Sequence, residues 1–465
     1  MNYNDPAFLI LLSITFVLYY LIPIAQWQIS VLVISSLIFY AWEAPQLLTV
    51  FVASWLITAS CSWLVMHRVS HKLLWATIGV VLNLAMLGFF KYKSFFADQQ
   101  NAAPYSVGIA GWLLLAPLPI GISFYTFHGI SMLVDLYRGR EGRPVYAENF
   151  LHRHLVKTLL YLVFFPQLIA GPIVKAKDFF PQVKTKSLKD IDYSSTARII
   201  ILGTFLKSVV ADNLSEQTFW LTYPWFLGRS SLDLIVLLYG YSFQIFADFA
   251  GYSLIAIGLA KLFGYCLPDN FNFPYLASSL GEFWRRWHIS LSSWLRDYLY
   301  IPLGGNQKGS IRTYINLIIV MFLGGLWHGA AWSFAFWGLW HGVGLALERG
   351  FRKSTFLTST NQWIITLRIF LVFNFVTLGW LLFKLQEFDH VSIYIRGLFT
   401  GSLTSIRRDD AWVICIYSFF VVLYHLQKKV KGRLNQFLID IGYGLMLVLI
   451  ILNSGPSTPF IYFQF

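Results

Sequence analysis

Charge is what this chain has least of. Asp, Glu, Lys and Arg make up 12% of its 465 residues, about half the share of ordinary soluble domains. Hydrophobic residues supply 57% and aromatic ones 18%, and mean hydropathy is +0.60. So few charges cannot cover a water-exposed surface, which excludes a soluble globular protein and places the chain in a lipid bilayer. Cysteine is nearly absent. Cys61, Cys266 and Cys415 are widely spaced in apolar or membrane-edge settings, which excludes a disulfide framework and a thiolate zinc pattern. The ten histidines contain no H-E-x-x-H, and the nearest pairs, His67 with His71 and His152 with His154, sit in basic loops. Neither a zinc nor a di-iron centre is expected, and no metal residue is assigned. Soluble domains, long linkers and low-complexity tails are lacking too, so the chain reads as one membrane domain over residues 1–465.

What the chain has instead is apolar runs, at 7–24, 29–41, 46–66, 73–90, 108–124, 155–170, 231–247, 313–323, 330–346, 364–383, 411–426 and 434–452. Several approach the roughly 20 residues of a spanning helix. Others are short or carry polar letters, as expected of broken or re-entrant helices shielded by protein or a cavity. The first run comes after MNYNDP, with no basic region before it and no small-residue cleavage pattern after it, and reads as a retained helix. Lys and Arg outnumber Asp and Glu by 35 to 22. The excess gathers in short loops at 68–72, 138–143, 175–189, 349–353 and 428–433. That is the pattern of loops kept on the cytoplasmic side. No separate basic domain exists, which argues against a nucleic-acid partner.

Ionisable groups at membrane depth face a cavity or a partner, and polar letters break the hydrophobic pattern in several stretches. In PLPIGISFYTFHGISMLVDLYRG (117–139), Pro117, Pro119 and Gly121 break the chain before His128, which reads as a hydrogen-bonded core histidine. FFPQLIAGPIVK (164–175) reads as a bend. In 239–264, Gln244, Asp248 and Tyr252 recur at i, i+4, i+8 on one helix face, a positioning set rather than a catalytic one. In 279–309, Glu282, Arg285, Arg286, His288, Arg296 and Asp297 alternate with Trp284, Trp287, Trp294, Tyr298 and Tyr300. That composition suits a membrane interface, and it equally suits a segment presenting cations to an anionic ligand such as a nucleotide-linked acyl donor.

One more stretch, GLWHGAAWSFAFWGLWHG (325–342), repeats GLWHG thirteen residues apart. Each copy carries a G-x-x-x-G for close helix packing. On a continuous helix His328 and His341 lie about 220° apart and cannot share a pocket. A desolvated imidazole stays neutral and can accept a proton near pH 7. The residues leave His328 open between a general base and a packing group, and they favour packing for His341.

In order, PIGISFYTFHGISMLVDLYRG, FFPQLIAGPIVK, FADFAGYSLIAIGLAKLFG, NFNFPYLASSLGEFWRRWHISLSSWLRDYLYIPLGG and GLWHGAAWSFAFWGLWHG resemble the membrane-bound O-acyltransferases. The likeness is to the bacterial branch that O-acetylates exported polysaccharides such as alginate. It covers about residues 80–350, with residues of about 360–453 matching only as further spans. The resemblance implies an all-α polytopic fold, a ring of roughly 11–13 transmembrane helices with broken or re-entrant helices around a central tunnel. It places the catalytic histidine at His328, with His288 supporting, and leaves His341 structural. The hypothesis that goes with it is an acetyl-CoA-like thioester as donor, with no tightly bound cofactor, and the basic and aromatic residues of 279–309 make Arg285, Arg286 and Trp284 the candidate donor-binding residues. The acceptor would be a polysaccharide hydroxyl, reached directly or through a periplasmic acetyltransferase or export partner, at the bacterial inner membrane. Peptidoglycan O-acylation and teichoic-acid D-alanylation use the same chemistry. A non-enzymatic transporter of lipid-linked sugar would need two repeated halves, and only the GLWHG pair repeats. One departure is Leu254, where that branch often has Asp after GYS.

Overall fold

The computed structural model describes residues 3, 5–67, 69–96, 113, 115–139, 148–168, 171–401, 407–430 and 435–461. Residues 108–112 and 114 of the fifth apolar run, Arg68, Arg140, Arg143, residues 169–170 and residues 431–433 lie outside the described residues. The described elements are helical, with no strand among them, and the protein is an all-α polytopic membrane protein. Among the described residues, seven helices are long and apolar enough to cross a membrane: Pro45–His67, Lys72–Lys93, Tyr193–Leu221, Ser231–Leu262, Ser310–His328, Gln362–Lys384 and Asp409–Lys428. Pro6–Leu21, Ala25–Ala41 and Gln436–Leu452 are shorter apolar helices.

Tyr193–Leu221 is a span that the apolar runs missed. Lys207 and Asp212 interrupt its hydrophobic count, yet both are 1% exposed because they pair with each other. The run at 155–170 is not one continuous helix: Leu151–Val163 stops at Phe164, since Pro166 has no N–H to continue its hydrogen bonding, and a separate turn Phe165–Leu168 follows.

The chain forms two compact units, Met1–Ala197 with Ala256–Pro268, and Arg198–Ile255 with Asp269–Phe465. In the first, small and polar residues let helices meet. Asn83 accepts from Ser54 (2.7 Å) and donates to Thr58 (3.2 Å), and His154 pairs with Ser62 at 2.8 Å. Gly121, at φ +70°, starts helix Ile122–Arg138 against the Leu168 carbonyl, where a Cβ would lie 2.5 Å away. His128 lies in that helix, fully buried, and its Nε2 accepts from the Val174 N–H at 3.1 Å. It is a bonded core histidine, as its surroundings in the sequence suggested.

The second unit holds segment 279–309 and both GLWHG copies. Helices Leu280–Arg286 and Ile289–Leu295 have seven residues each, about 10 Å apiece and too short to cross an apolar layer of roughly 30 Å. A π-helical turn comes next at Arg296–Tyr300, and Gly304 (φ +107°) and Gly305 (φ +53°) turn the chain towards helix Ser310–His328. That helix and Trp332–Gly350 then pack backbone to backbone. A Cβ on Gly325 would lie 2.2 Å from the Phe334 carbonyl, and one on Gly338 would lie 2.2 Å from that of Met321. No side chain fits at either place, so the first and second GLWHG glycines hold the hairpin shut.

Candidate active site

Segment 279–309 breaks at its histidine. Helix Leu280–Arg286 ends at Trp287, and His288 takes a left-handed backbone (φ 44°, ψ 54°) before helix Ile289–Leu295 begins. A residue with a Cβ holds that conformation only where its neighbours fix it. Asn270 does so. Its carbonyl accepts from Ile289 N–H (2.9 Å), its Oδ1 accepts from Ser290 N–H and Oγ–H (3.3 and 3.0 Å), and its Nδ2 donates to Ser253 Oγ (3.0 Å). His288 also caps the next helix, accepting from Leu291 N–H on Nδ1 at 3.3 Å. A ring nitrogen that accepts carries no proton, so the neutral ring bears its proton on Nε2 and can donate from there. Burial pushes the imidazole pKa down to about 3, and the ring is neutral at physiological pH.

His328 is the last residue of helix Ser310–His328, 5% exposed, and the chain leaves it through an extended Gly329. Three rings stand edge-on to its imidazole: Trp327 at 4.9 Å, Trp337 at 5.0 Å and Phe383 at 5.2 Å between centroids. They fix the ring plane. His288 also stands against Trp327, 6.1 Å from that indole. The two histidines therefore share one aromatic wall. His341 sits in the middle of helix Trp332–Gly350, fully buried against Trp337 (4.9 Å), Trp284 (5.1 Å) and Phe283 (6.2 Å). Neither of its nitrogens has a hydrogen-bond partner among the described residues.

His328 opens on a cavity of about 240 Å³ whose wall includes Trp284, Leu291, Leu295, Met321, Gly324 and Trp337. It is almost wholly apolar. A second cavity, about 560 Å³, shares Leu317 and Leu345 with the first and is lined by Arg285, Arg349, Arg352 and Arg368 together with Glu282 and Glu348. Both carboxylates are already engaged. Glu348 accepts from Leu280 N–H and from Gly281 N–H (3.0 Å), and Glu282 accepts from Ser278 N–H (2.7 Å) and pairs with Arg286. Burial raises the Glu282 pKa, but Ser278 and the Arg286 guanidinium outweigh it and leave the carboxyl below its usual value. The four arginines thus leave the larger cavity cationic, next to an apolar one that ends at a histidine.

The structure brings His328, Trp284 and Arg285 to these two adjoining cavities, while His288 lines neither and stands against Trp327. Arg286 is turned away: it pairs with Glu282 and donates to the Phe273 carbonyl at 3.3 Å. Leu254 lies against Gly203, outside the lining of both cavities. Sequence reasoning missed three residues. Arg349 and Arg352 were absorbed into a loop read as topological, and Arg368 stands alone inside an apolar run, which is itself a signal of function. Among the described residues no three His, Cys, Asp or Glu side chains gather as metal ligands would.

A buried histidine at a helix end, facing a mostly apolar cavity beside a cationic one, is an arrangement that suits group transfer. The membrane-bound O-acyltransferase family model matches residues 112–387, and the chain belongs to that family: it is an O-acyltransferase. It is 38% identical to the probable alginate O-acetylase of Azotobacter vinelandii, over 84% of this chain and 76% of that one. Identity to the peptidoglycan O-acetyltransferase of Helicobacter pylori is 36%, over 79% and 73%. To the teichoic acid D-alanyltransferase of Bacillus subtilis it is 31%, over 58% and 70%.

Proposed function

We propose that this chain is an inner-membrane O-acetyltransferase that takes acetyl from a cytosolic thioester, acetyl-CoA, and delivers it to a hydroxyl of an exported polysaccharide such as alginate, directly or through a periplasmic acetyltransferase partner. The observation that carries this reading is the pair of adjoining cavities. The cationic one suits the phosphates of a nucleotide-linked donor, with Arg285, Arg349, Arg352 and Arg368 as contacts. The apolar one, about 240 Å³, is smaller than the roughly 300–1,000 Å³ of drug-sized ligand sites. It admits a slender thioester arm with a short acyl group, and Trp284 forms part of its wall.

His328 accepts the proton of the acceptor hydroxyl, whose oxygen attacks the thioester carbonyl carbon. The carbon–sulfur bond breaks, and the departing thiolate takes the proton back from the imidazolium, giving an ester and a free thiol. His288, neutral and donating from Nε2, orients the site through its contact with Trp327, and Arg286 braces the segment that carries it. The O-acetylating relatives cover more of the chain at higher identity than the D-alanylating one, which favours acetyl over D-alanyl. The test is transfer of labelled acetyl from acetyl-CoA by purified protein. His328→Ala should keep its melting temperature and lose transfer, and a folded His328→Ala with wild-type turnover would end this reading.

A further inference from the structure

The family match ends at residue 387, yet the segment after the last described helix is wedged into the core of the second unit. Its anchor is a buried charge cluster. Lys207, in the π-helical turn Phe205–Ala211, reaches Asp212 Oδ1 at 2.6 Å and Asp248 Oδ1 at 2.8 Å. The segment supplies further partners to these three groups. Lys207 donates to the Thr458 carbonyl (2.9 Å) and Oγ1 (3.1 Å), Thr458 Oγ–H donates to Asp212 Oδ1 (2.5 Å), and Ile461 N–H donates to Asp248 Oδ2 (2.8 Å). Gly455 N–H adds a bond to the Ser208 carbonyl at 2.8 Å. Buried charges left short of partners are costly, so this docking is specific to one register of the segment.

That register fixes Phe460. The ring is fully buried, 4.6 Å from Tyr252 and 5.5 Å from Phe249. Phe249 in turn stands edge-on to the His288 imidazole at 4.6 Å, on a ring already held in strained backbone. We propose that Gly455–Ile461 is a positioning strap for the transfer site: its anchorage on Lys207, Asp212 and Asp248 seats Phe460 behind Phe249, and Phe249 holds His288 in its working orientation. The strap rests on His288 belonging to the transfer site. Phe460 touches no reacting atom and acts only through Phe249.

The experiment compares Phe460→Ala, Phe460→Leu and wild type as purified, monodisperse proteins, with two readouts. One is the split of transfer kinetics into kcat and donor KM. The other is the rate at which diethyl pyrocarbonate modifies His288, measured by peptide mass spectrometry. Removing the ring should lower kcat by about tenfold or more with donor KM within about twofold, as a slackened catalytic geometry does, and speed His288 modification several-fold. Leucine, which refills part of the space, should recover much of both. Thr458→Val, which unhooks the anchor while leaving the aromatic stack, should move both readouts in the same direction. A Phe460→Ala protein with unchanged kcat, or one that loses kcat while His288 reacts at the wild-type rate, would overturn the strap. Wild-type turnover in His288→Gln would overturn the site assignment instead, and the modification rates would then decide the strap alone.

Discussion

The hairpin of helices Ser310–His328 and Trp332–Gly350 offers a graded test of how tightly the site depends on helix spacing. A Cβ at Gly338 would sit 2.2 Å from the Met321 carbonyl oxygen and 3.0 Å from Phe322 Cα. Ordinary contact begins at 3.4 Å, so Gly338→Ala must drive the two backbones about 1.2 Å apart, and no flexible side chain lies between them to give way. Trp337, the residue before it, faces His328 at 5.0 Å, and both line the apolar cavity. Parting the helices therefore parts His328, the proposed base, from its wall. A misplacement of about 1 Å costs on the order of a hundredfold in rate, about 2.7 kcal/mol in barrier. At Gly342 the nearest atoms are Ile318 Cα at 3.1 Å and Met321 Cβ at 3.2 Å. A shift of about 0.3 Å restores contact there, and Gly342→Ala should lose only severalfold. Gly350, with Tyr314 Oη 3.9 Å away, should accept alanine without loss. The assay is acyl transfer by the three purified variants beside their melting temperatures. Gly338→Ala that folds and turns over like wild type, or Gly350→Ala as damaged as Gly338→Ala, would refute the dependence on helix spacing.

Two other sites give separate predictions. Arg285→Ala should raise donor KM by about tenfold or more while kcat stays within a few-fold, because one charge-assisted contact is worth roughly 1.5–3 kcal/mol; a change in kcat alone would show that Arg285 does not hold the donor. Glu282 has a folded pKa below its unfolded value, so its stabilisation is present above the unfolded carboxylate pKa of about 4.3 and is lost as pH falls through the folded one. Wild type should melt above Glu282→Gln by a constant margin from about pH 6 to 8 and lose that margin towards pH 3. A margin independent of pH would mean that the ionised carboxylate contributes nothing.

The spans were legible where an apolar run is uninterrupted, because lipid imposes one rule on every residue it touches. Legibility failed where protein replaces lipid as the surroundings. Lys207 and Asp212 hid the span Tyr193–Leu221, since a hydropathy count cannot know that Asp248, 41 positions away in the chain from Lys207, lies 2.8 Å from it. Asp248 itself was readable as a positioning residue, but its partner was not. The site shows the same division. His328, His288 and Trp284 belong to continuous strings of unusual letters and could be picked out. The cationic cavity draws Arg285, Arg349, Arg352 and Arg368 from three separate stretches, and only the fold joins them. The strap is the extreme case, for nothing in the letters of 455–461 announces that a phenylalanine there stands two rings away from His288.

The two copies of the pentapeptide GLWHG stand in different surroundings, and the proposed division of roles between their histidines follows from that difference. In the first copy the histidine ends a helix and faces a cavity; in the second it lies mid-helix among packed rings, with both nitrogens lacking a hydrogen-bond partner among the described residues. A buried polar group without a partner carries a cost of about 1–3 kcal/mol, so replacing it with a hydrocarbon forfeits no bond. Nε2 of His341 lies 3.2 Å from where a Cβ on Gly379 would stand, so the replacement must not be bulkier than the imidazole on that side. His341→Leu meets this condition, and volume-conserving core changes cost less than about 1.5 kcal/mol. It should therefore keep most of its transfer activity with a melting temperature at or above that of wild type. His328→Asn keeps a polar side chain at its place but has no group that accepts a proton at neutral pH, and should be inactive. Both are to be measured as monodisperse proteins in the same transfer assay. A well-folded, inactive His341→Leu beside an active His328→Asn would reverse the assignment of the two copies, and with it the direction from which the acceptor hydroxyl meets its base.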